Sequence, residues 1–326
     1  MIGGRPRVVV TQQVFPETIE LLSPHADVAL GPVSREADAL MVFMPDSLDK
    51  EFLRSCPKLR IVAAALKGCD NFDVEACTRL GIWFTIVPDL LTEPTAELAL
   101  ALMLGVARNV LAGDRLIRSG GFQGWRPILY GTGLAGSTVG IIGFGAVGRT
   151  LVRMLQGFSC RVQYFDSSVD GSTPLDTLLA TSDFVLPLLP LTPATFRMLG
   201  REALSGMQRG SYLINVSRGS IVDEEAVADA LESGHLAGYA ADTFAMEDWA
   251  RDDRPREISP RLLRLTDRTL FTPHLGSAVV EARREIERAA AKNILEALRG
   301  ERPAGAINNP VGRSRLADSF EVESGS

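Results

Sequence analysis

Residues 138–166 constrain the fold of this chain more than any other stretch, because they combine a glycine-rich turn with an apolar run on each side. The first run leads into the turn, an amphipathic stretch follows, and the second run ends on Asp166. The glycines of the turn are Gly143, Gly145 and Gly148. This order is typical of the strand–helix–strand unit that binds a dinucleotide. A glycine-rich turn in some other α/β domain is the alternative.

The spacing within this unit predicts which dinucleotide binds. Gly143 allows the tight turn, Gly145 lets the backbone approach the pyrophosphate, and Gly148 lets the helix pack on the strand. The start of the helix offers unpaired N–H groups to the phosphates. Asp166 stands about as far beyond Gly148 as an acid that holds the ribose hydroxyls. Because two serines and no arginine come next, the sequence predicts NAD in preference to NADP.

Composition limits the classes of protein that remain. The chain has 326 residues, 46% of them hydrophobic, and a formal net charge of -6. This length suggests two domains, and the acidic balance argues against non-specific binding to nucleic acid. We see neither a signal peptide nor a run long enough to span a membrane, and the four cysteines lack the paired spacing of a metal site. We therefore expect a cytoplasmic protein with reduced thiols, no metal, and neither nucleic acid nor membrane as a partner.

Strand and helix patterns alternate along the chain, which predicts an α/β fold with parallel sheets. In such sheets the binding sites lie at the carboxyl ends of the strands. Four chemistry-bearing residues fall at predicted strand ends, namely Lys67, Arg218, Asp242 and His274. A helix predicted over 95–118 is apolar on more than one face, so we expect it to be buried within a domain or between subunits.

His274 is the candidate proton carrier. It follows a predicted strand and a proline, and an imidazole exchanges protons near neutral pH. Glu247 is a suitable partner, because a carboxylate fixes the tautomer of the ring. A structural histidine with satisfied hydrogen bonds is the alternative, and it is our interpretation of His25 and His235.

Cationic side chains are the candidate anion ligands. Arg218 follows a buried strand, and a guanidinium binds an oxyanion through two parallel hydrogen bonds. A salt bridge to Asp223 or Glu224 is the alternative. Lys67 also follows an apolar strand and is a second candidate ligand of the anion. An exposed lysine in a turn is the alternative. Of Arg283 and Arg284 on the last helix, either one points at the site or both lie on a solvated face.

Four segments resemble the D-isomer-specific 2-hydroxyacid dehydrogenase family. They are 143–148 (GFGAVG), 215–219 (NVSRG), 241–247 (ADTFAME) and 272–276 (TPHLG). In that family an arginine binds the substrate anion, a histidine exchanges the proton and a glutamate supports the histidine. The resemblance implies these roles for Arg218, His274 and Glu247.

The resemblance also implies a domain organisation. It implies two Rossmann-like domains, of which the substrate-binding domain is discontinuous and the other binds NAD, and it implies a homodimer. We assign 1–94 and 277–326 to the substrate-binding domain and 95–276 to the NAD-binding domain. Two segments look short for the family: 31–38 leaves no room for the usual helix, and 167–182 has room for a helix but not for the customary extra strand. We expect weaker NAD binding as a result, with catalysis intact.

Further segments resemble the phosphonate (phosphite) dehydrogenases, a group within that family. They are 43–46, 65–73, 87–92, 122–125, 130–133, 246–249 and 274–278. This resemblance implies that phosphite is bound by Lys67, Arg218 and Arg283. It implies a substrate pocket lined by Met44, Trp125, Tyr130 and Ser277. It implies NAD contacts from Ala146, Val147, Asp166, Leu188, Leu189, Pro190, Val216 and Asp242, beside the three glycines.

The sequence therefore predicts NAD-dependent oxidation of phosphite to phosphate. Phosphite is largely dianionic near neutral pH and needs several cations, whereas a carboxylate needs only one. We expect His274 to deprotonate the attacking water, with Arg218 or a substrate oxygen as the alternative base. The alternative function is that of a D-2-hydroxyacid dehydrogenase or reductase of the glycerate, glyoxylate or hydroxypyruvate type. A third is a non-catalytic NAD sensor or corepressor, against which the Arg218, Glu247 and His274 set counts.

Overall fold

The chain divides into two compact units. The computed structural model describes residues 4–87 and 89–310. One unit takes the chain up to Leu91 and from Val279 onward, and the other is Thr92–Ala278. The sequence places the divisions at 94/95 and 276/277. Each unit is built on a wholly parallel sheet, which confirms the predicted α/β fold class.

The first unit is a five-stranded sheet with helices packed on it. Its strands are β1 (Arg7–Val10), β2 (Asp27–Leu30), β3 (Ala39–Val42), β4 (Ile61–Ala64) and β5 (Trp83–Thr85), in the spatial order β2-β1-β3-β4-β5. Its helices are α1 (Pro16–Leu22), α2 (Lys50–Arg54), α3 (Val74–Arg79) and α11 (Val280–Leu298). The strands β3 and β4 are buried along their whole length, so they read as continuous apolar runs. The helix α11 covers them with Ile286, Ala290 and Ile294.

The second unit is a six-stranded sheet. Its strands are β6 (Thr138–Ile142), β7 (Arg161–Phe165), β8 (Phe184–Pro187), β9 (Tyr212–Asn215), β10 (Gly238–Ala241) and β11 (Thr269–Phe271), in the order β11-β10-β9-β8-β6-β7. Its helices are α4 (Thr92–Ala107), α5 (Val110–Arg118), α6 (Ala146–Leu155), α7 (Leu175–Thr181), α8 (Arg201–Gly206), α9 (Glu224–Glu232) and α10 (Pro260–Arg264). Short 3₁₀ turns lie at Gln156–Phe158, Gly219–Ile221 and Ala245–Glu247.

The strand order of the second unit creates a crevice. The chain steps from β6 outward to β7 and then returns to β8 on the other side of β6. Ligands of open parallel sheets bind where the order reverses in this way. Both short segments have the predicted content: 167–182 contains α7 and no strand, and 31–38 contains no helix. As a result β7 is the edge strand of the sheet.

The predicted helix over 95–118 is wrong in one respect, because it is two helices. α4 is largely buried, whereas α5 has no buried residue. They separate at Asn109, whose backbone is left-handed with φ 54°. Asparagine tolerates this conformation, and the Asn109 side chain donates to the carbonyl groups of Leu129 and Tyr130. The Thr132 N–H donates to the Ala107 carbonyl, which would otherwise accept the next hydrogen bond of the helix.

Among the described residues, no single helix has the length and apolar character needed to cross a membrane. The α4 and α5 pair meets the length and composition test only when counted together across its 63° bend.

Candidate active site

The glycine-rich turn lies at the crevice and fits a dinucleotide. Gly143 has φ +101°, and a Cβ there would lie 2.5 Å from the Leu188 carbonyl oxygen, so only glycine fits. Gly148 is buried, and a Cβ on it would lie 2.5 Å from the Gly143 carbonyl oxygen. By contrast, a Cβ on Gly145 would meet nothing within 4 Å. The open space at the start of α6 is therefore where a pyrophosphate can approach the backbone.

Asp166 closes this turn from the end of β7. Its Oδ2 accepts from the Phe144 N–H at 2.7 Å, and its Oδ1 accepts from the Ser168 N–H at 2.9 Å and the Ser168 hydroxyl at 2.6 Å. These hydrogen bonds, the Ser168 hydroxyl first, lower the pKa of the Asp166 carboxyl below its ordinary value. The carboxylate is thus kept ionised beside the turn, as the acid of a dinucleotide site requires.

The other residues predicted to contact NAD belong to the same unit. Ala146 and Val147 are partly exposed in the first turn of α6. Three further residues follow β8, namely Leu188, Leu189 and Pro190. Gly143 lies against the first two of them. Val216 is buried after β9 in an apolar cluster. The contacts of all these residues with NAD stay predictions.

His274 and Glu247 form a hydrogen-bonded pair. The Nδ1 atom of His274 lies 2.7 Å from Oε2 of Glu247, so the pairing expected from the sequence is confirmed. The other oxygen, Oε1, accepts from the Phe244 N–H at 2.8 Å, which fixes the Glu247 side chain over its own 3₁₀ turn. A carboxylate can only accept, so Nδ1 carries the proton and Nε2 is left to exchange one.

Asp242 fixes the turn that carries His274. Its carboxylate accepts from the Thr272 hydroxyl at 2.6 Å, the Leu275 N–H at 2.7 Å and the Gly276 N–H at 2.8 Å. These three bonds hold His274 in a left-handed conformation of φ 56°, which is unusual for a histidine. Asp242 is 1% exposed, and this burial raises the pKa of its carboxyl, while its hydrogen bonds oppose the rise.

The supporting role of Asp242 escaped sequence reasoning, which proposed only a contact with NAD. The signal available was a carboxylate at a strand end, the same signal that suggested a ligand contact. Only the hydrogen bonds show that it acts on the His274 turn.

Arg218 lies in the turn after β9, beside the Glu247 turn. The Asn215 side chain holds this turn, because its Nδ2 donates to the Arg218 carbonyl and its Oδ1 accepts from Ser217. The two turns touch at Gly219, where a Cβ would lie 1.9 Å from the Phe244 carbonyl carbon. The second unit therefore brings the Arg218 backbone close to the turn that carries Glu247.

In the first unit, Lys67 and Arg283 lie at the same end of β4. Nη1 of Arg283 donates to the Ala65 carbonyl at 3.3 Å, two residues before Lys67, and Nη2 lies 3.5 Å from Glu287 Oε1. Burial lowers the pKa of the Arg283 guanidinium and Glu287 opposes this, but arginine stays charged. Lys67 is half-buried and makes no hydrogen bond or ion pair with any residue that the structure describes.

The two arginines that the sequence left open have different surroundings, and the role of Arg283 at the site stays a prediction. Arg283 points to the end of β4, whereas Arg284 lies 3.6 Å from Glu17 and over the Phe15 ring. Arg284 is therefore occupied on the other side of α11.

The predicted pocket residues are spread over both units. Met44 is half-buried in the first unit, where it packs against the core beside β4. Ser277 is partly exposed in the turn after Gly276. Trp125 and Tyr130 are 85% and 78% exposed, in the loop that follows α5. The roles of these four residues stay predictions.

Known proteins resemble this chain over nearly its whole length. The model of the "D-isomer specific 2-hydroxyacid dehydrogenase, NAD binding domain" matches residues 100–276. A glyoxylate reductase of Thermococcus litoralis is 36% identical, over 94% of this chain and 98% of the relative. A Thermus thermophilus protein of known structure is 33% identical, with a TM-score of 0.84 over 92% of this chain and 99% of that chain.

One solved structure bears on ligands. An NADPH-dependent glyoxylate/hydroxypyruvate reductase from Sinorhizobium meliloti, in complex with NADP and malonate, is 26% identical. Its TM-score is 0.81, over 93% of this chain and 97% of that chain.

Proposed function

Because the chain belongs to the D-isomer specific 2-hydroxyacid dehydrogenase family, we propose that it transfers hydride between NAD and a small anion, and that this anion is phosphite. It is an NAD-dependent oxidoreductase, with NAD bound by the second unit. A 2-oxoacid of the glyoxylate type is the second candidate substrate. The names of the relatives favour this second candidate, since they are glyoxylate reductases.

The observation that favours phosphite is the pair of cations in the first unit. The Arg283 guanidinium reaches the carbonyl of Ala65, two residues from Lys67. No carboxylate among the described residues pairs with Lys67, so its charge is available to a bound anion. Three cations, Lys67 and Arg283 in addition to Arg218, match the two charges of phosphite better than the single charge of glyoxylate.

The residues of the second unit supply the proton chemistry. The Nδ1–H group of His274 donates a hydrogen bond to Glu247, so Nε2 is the atom that takes a proton from water. The oxygen of that water attacks phosphorus. Arg218 binds and orients the anion through its planar donors. When bound, NAD+ accepts the hydride, so phosphite, water and NAD+ give phosphate, NADH and a proton. A P–O bond forms and the P–H bond breaks.

The same residues serve the second candidate in the opposite direction of proton flow. In glyoxylate reduction, protonated Nε2 of His274 donates to the carbonyl oxygen while Arg218 holds the carboxylate. Lys67 and Arg283 then have no required partner on the substrate. The two candidate substrates therefore differ in whether they need Lys67 and Arg283 of the first unit for binding.

A substrate panel distinguishes the candidates. Purified protein is incubated with NAD and phosphite, D-glycerate or D-lactate, and separately with NADH and glyoxylate. We expect NADH formation with phosphite and little with the hydroxyacids. Turnover of the organic acids alone would replace the proposal with the second candidate. NAD binding without turnover of any anion would indicate a sensor.

We also propose a homodimer formed through α5 and the loop after it. Exposed apolar side chains cluster there, including Val110, Ile117, Phe122, Trp125 and Tyr130. Exposed apolar side chains concentrated in one segment favour an interface. Sedimentation of wild type should give a dimer and Ile117→Glu a monomer, whereas a monomeric wild type would exclude this arrangement.

A further inference from the structure

Two neighbouring turns carry the groups that bind the anion and move the proton. The Arg218 turn (residues 216–223) follows β9, and the Glu247 turn (residues 242–249) follows β10, the adjacent strand. Their backbones touch at Gly219. A contact between backbones sets how closely the turns approach, but it does not prevent one from sliding along the other.

Two acidic side chains bridge the turns in opposite directions. Asp248, on the Glu247 turn, accepts from the Ser220 N–H of the Arg218 turn at 2.9 Å. Glu224, which follows the Arg218 turn at the start of α9, accepts from the Ala245 N–H of the Glu247 turn at 2.8 Å. Each turn therefore donates a backbone N–H to a carboxylate carried by the other side.

Both carboxylates are buried, and the burial of a carboxylate costs free energy. Asp248 is 3% exposed and Glu224 is 9% exposed. Burial raises the pKa of the Glu224 carboxyl, and the charge of Asp248 adds to the rise. Replacing buried charges by apolar groups often leaves a fold as stable as before or more so, so stability alone does not explain them.

The bridge acts on the groups that move the proton. Ala245 opens the 3₁₀ turn in which the Phe244 N–H holds Glu247 Oε1, and the other oxygen holds His274 Nδ1. A shift of the Glu247 turn against the Arg218 turn would therefore carry the imidazole away from the anion that Arg218 binds. Displacements of about 1 Å at a reacting centre cost roughly 100-fold in rate.

We propose that Asp248 and Glu224 are positioning residues that hold Glu247, and through it the His274 imidazole, in register with Arg218. Neither touches substrate or cofactor in this scheme. The proposal rests on the proposed function only in that His274 exchanges the proton of the reaction. It applies equally to phosphite and to glyoxylate.

The test compares Glu224→Ala and Asp248→Ala with wild type. We expect kcat to fall about 100-fold in each while the Kd for NAD is unchanged. Glu224→Gln and Asp248→Asn keep an acceptor oxygen and should restore most of the activity. Glu225→Ala is the matched control, because Glu225 is the next residue of α9 and bonds the Ser259 hydroxyl and Arg261 but not the Glu247 turn, so its kcat should equal that of wild type.

A second readout needs no substrate. The chain has three histidines, so long-range ¹H–¹⁵N NMR of histidine-labelled protein resolves each ring, and the His274→Asn spectrum assigns His274. At alkaline pH, wild type should show His274 protonated at Nδ1 alone. Both alanine variants should show a mixture of tautomers, because Nδ1 is no longer held to Glu247. Glu224→Met and Asp248→Leu, which remove the acceptor but fill the site, replace any alanine variant that does not fold.

The outcomes separate the two proposals. Folded Glu224→Ala and Asp248→Ala proteins with wild-type kcat and a single His274 tautomer would overturn the positioning role, even if their melting temperatures fall. A wild type that turns over neither phosphite nor glyoxylate would overturn the proposed function, and the tautomer measurement would still decide the positioning role.

Discussion

The two units hold their charged groups in different ways. In the second unit, Asp242 accepts three hydrogen bonds from the His274 turn, and Glu247 is hydrogen-bonded to the imidazole ring. In the first unit, Arg283 has one carbonyl and one carboxylate, at 3.3 and 3.5 Å, and Lys67 has no polar partner among the described residues. A group that transfers a proton must be oriented, whereas a group that attracts an anion needs only to be near it. Changes in the second unit should therefore lower kcat, and changes in the first should raise the KM for the anion.

His274→Asn is expected to have the largest effect. Loss of a general acid or base costs about 100- to 10,000-fold in rate, and the loss should appear in kcat. NAD binding should be unchanged, because the glycine-rich turn and Asp166 remain. His25→Asn is the matched control, since His25 is exposed in the first unit. Equal activity of the His274 and His25 variants would show that His274 does not exchange the proton of the reaction.

Lys67→Ala should have the next largest effect, and its size depends on the substrate. For a dianion, losing one of three cations should raise the KM for phosphite about 100-fold, as expected for a charged hydrogen bond of roughly 3 kcal/mol. For glyoxylate the loss should be slight. Lys58→Ala controls for charge, because Lys58 forms an exposed pair with Glu36. A variant that loses kcat but keeps its KM would contradict the division of labour between the units.

Asp166→Ala should weaken NAD binding about tenfold, the loss of roughly one charged hydrogen bond. The same change should improve NADP relative to NAD, because a carboxylate repels the 2′-phosphate. Titration of both cofactors measures this. Asp176→Ala, in the first turn of α7 of the same unit, is the control. Unchanged selectivity would show that another group discriminates between the cofactors.

The smallest effect concerns pH and stability. Burial raises the pKa of Glu224 above its ordinary value of 4.5, so the folded chain binds this proton more tightly than the unfolded chain. The stability contributed by this group is therefore lost as pH rises above 4.5 through the folded pKa. Glu224→Gln lacks this loss and should gain stability relative to wild type between pH 4.5 and neutral pH, as measured by urea unfolding.

Glu225→Gln is a control of the opposite sign. Hydrogen bonds from Ser259 and Arg261 lower the pKa of Glu225, so its contribution is present above pH 4.5 and is lost in acid. This variant should be less stable than wild type above pH 4.5, and the difference should shrink as the pH falls below 4.5. A difference that grows as the pH falls below 4.5 would contradict the assignment.

The sequence predicted the parts of the molecule that local pattern determines. The turn at Gly143 and the parallel sheets follow from spacing and pattern along the chain, whereas the missing strand at 167–182 and the support of His274 by Glu247 were expected from the resemblance to a family. Asp166 was found because an acid at that distance has a known use.

The sequence did not predict the parts that depend on tertiary contacts. The break at Asn109 depends on a loop some twenty residues later that takes its hydrogen bonds. The bridges from Glu224 and Asp248 were missed because an acid in the first turn of a helix, or beside another acid, normally faces water. Glu224 and Asp248 are buried, and the sequence pattern does not show the burial of a single acidic residue.

The most direct test of the account uses phosphite that carries deuterium on phosphorus. The protein is incubated with this phosphite and NAD, and the reduced cofactor and the phosphate are analysed by mass spectrometry and ³¹P NMR. We predict reduced cofactor that carries one deuterium, together with an equal amount of phosphate. No reduced cofactor with phosphite, beside ready oxidation of NADH by glyoxylate, would contradict the account and leave a 2-oxoacid reductase.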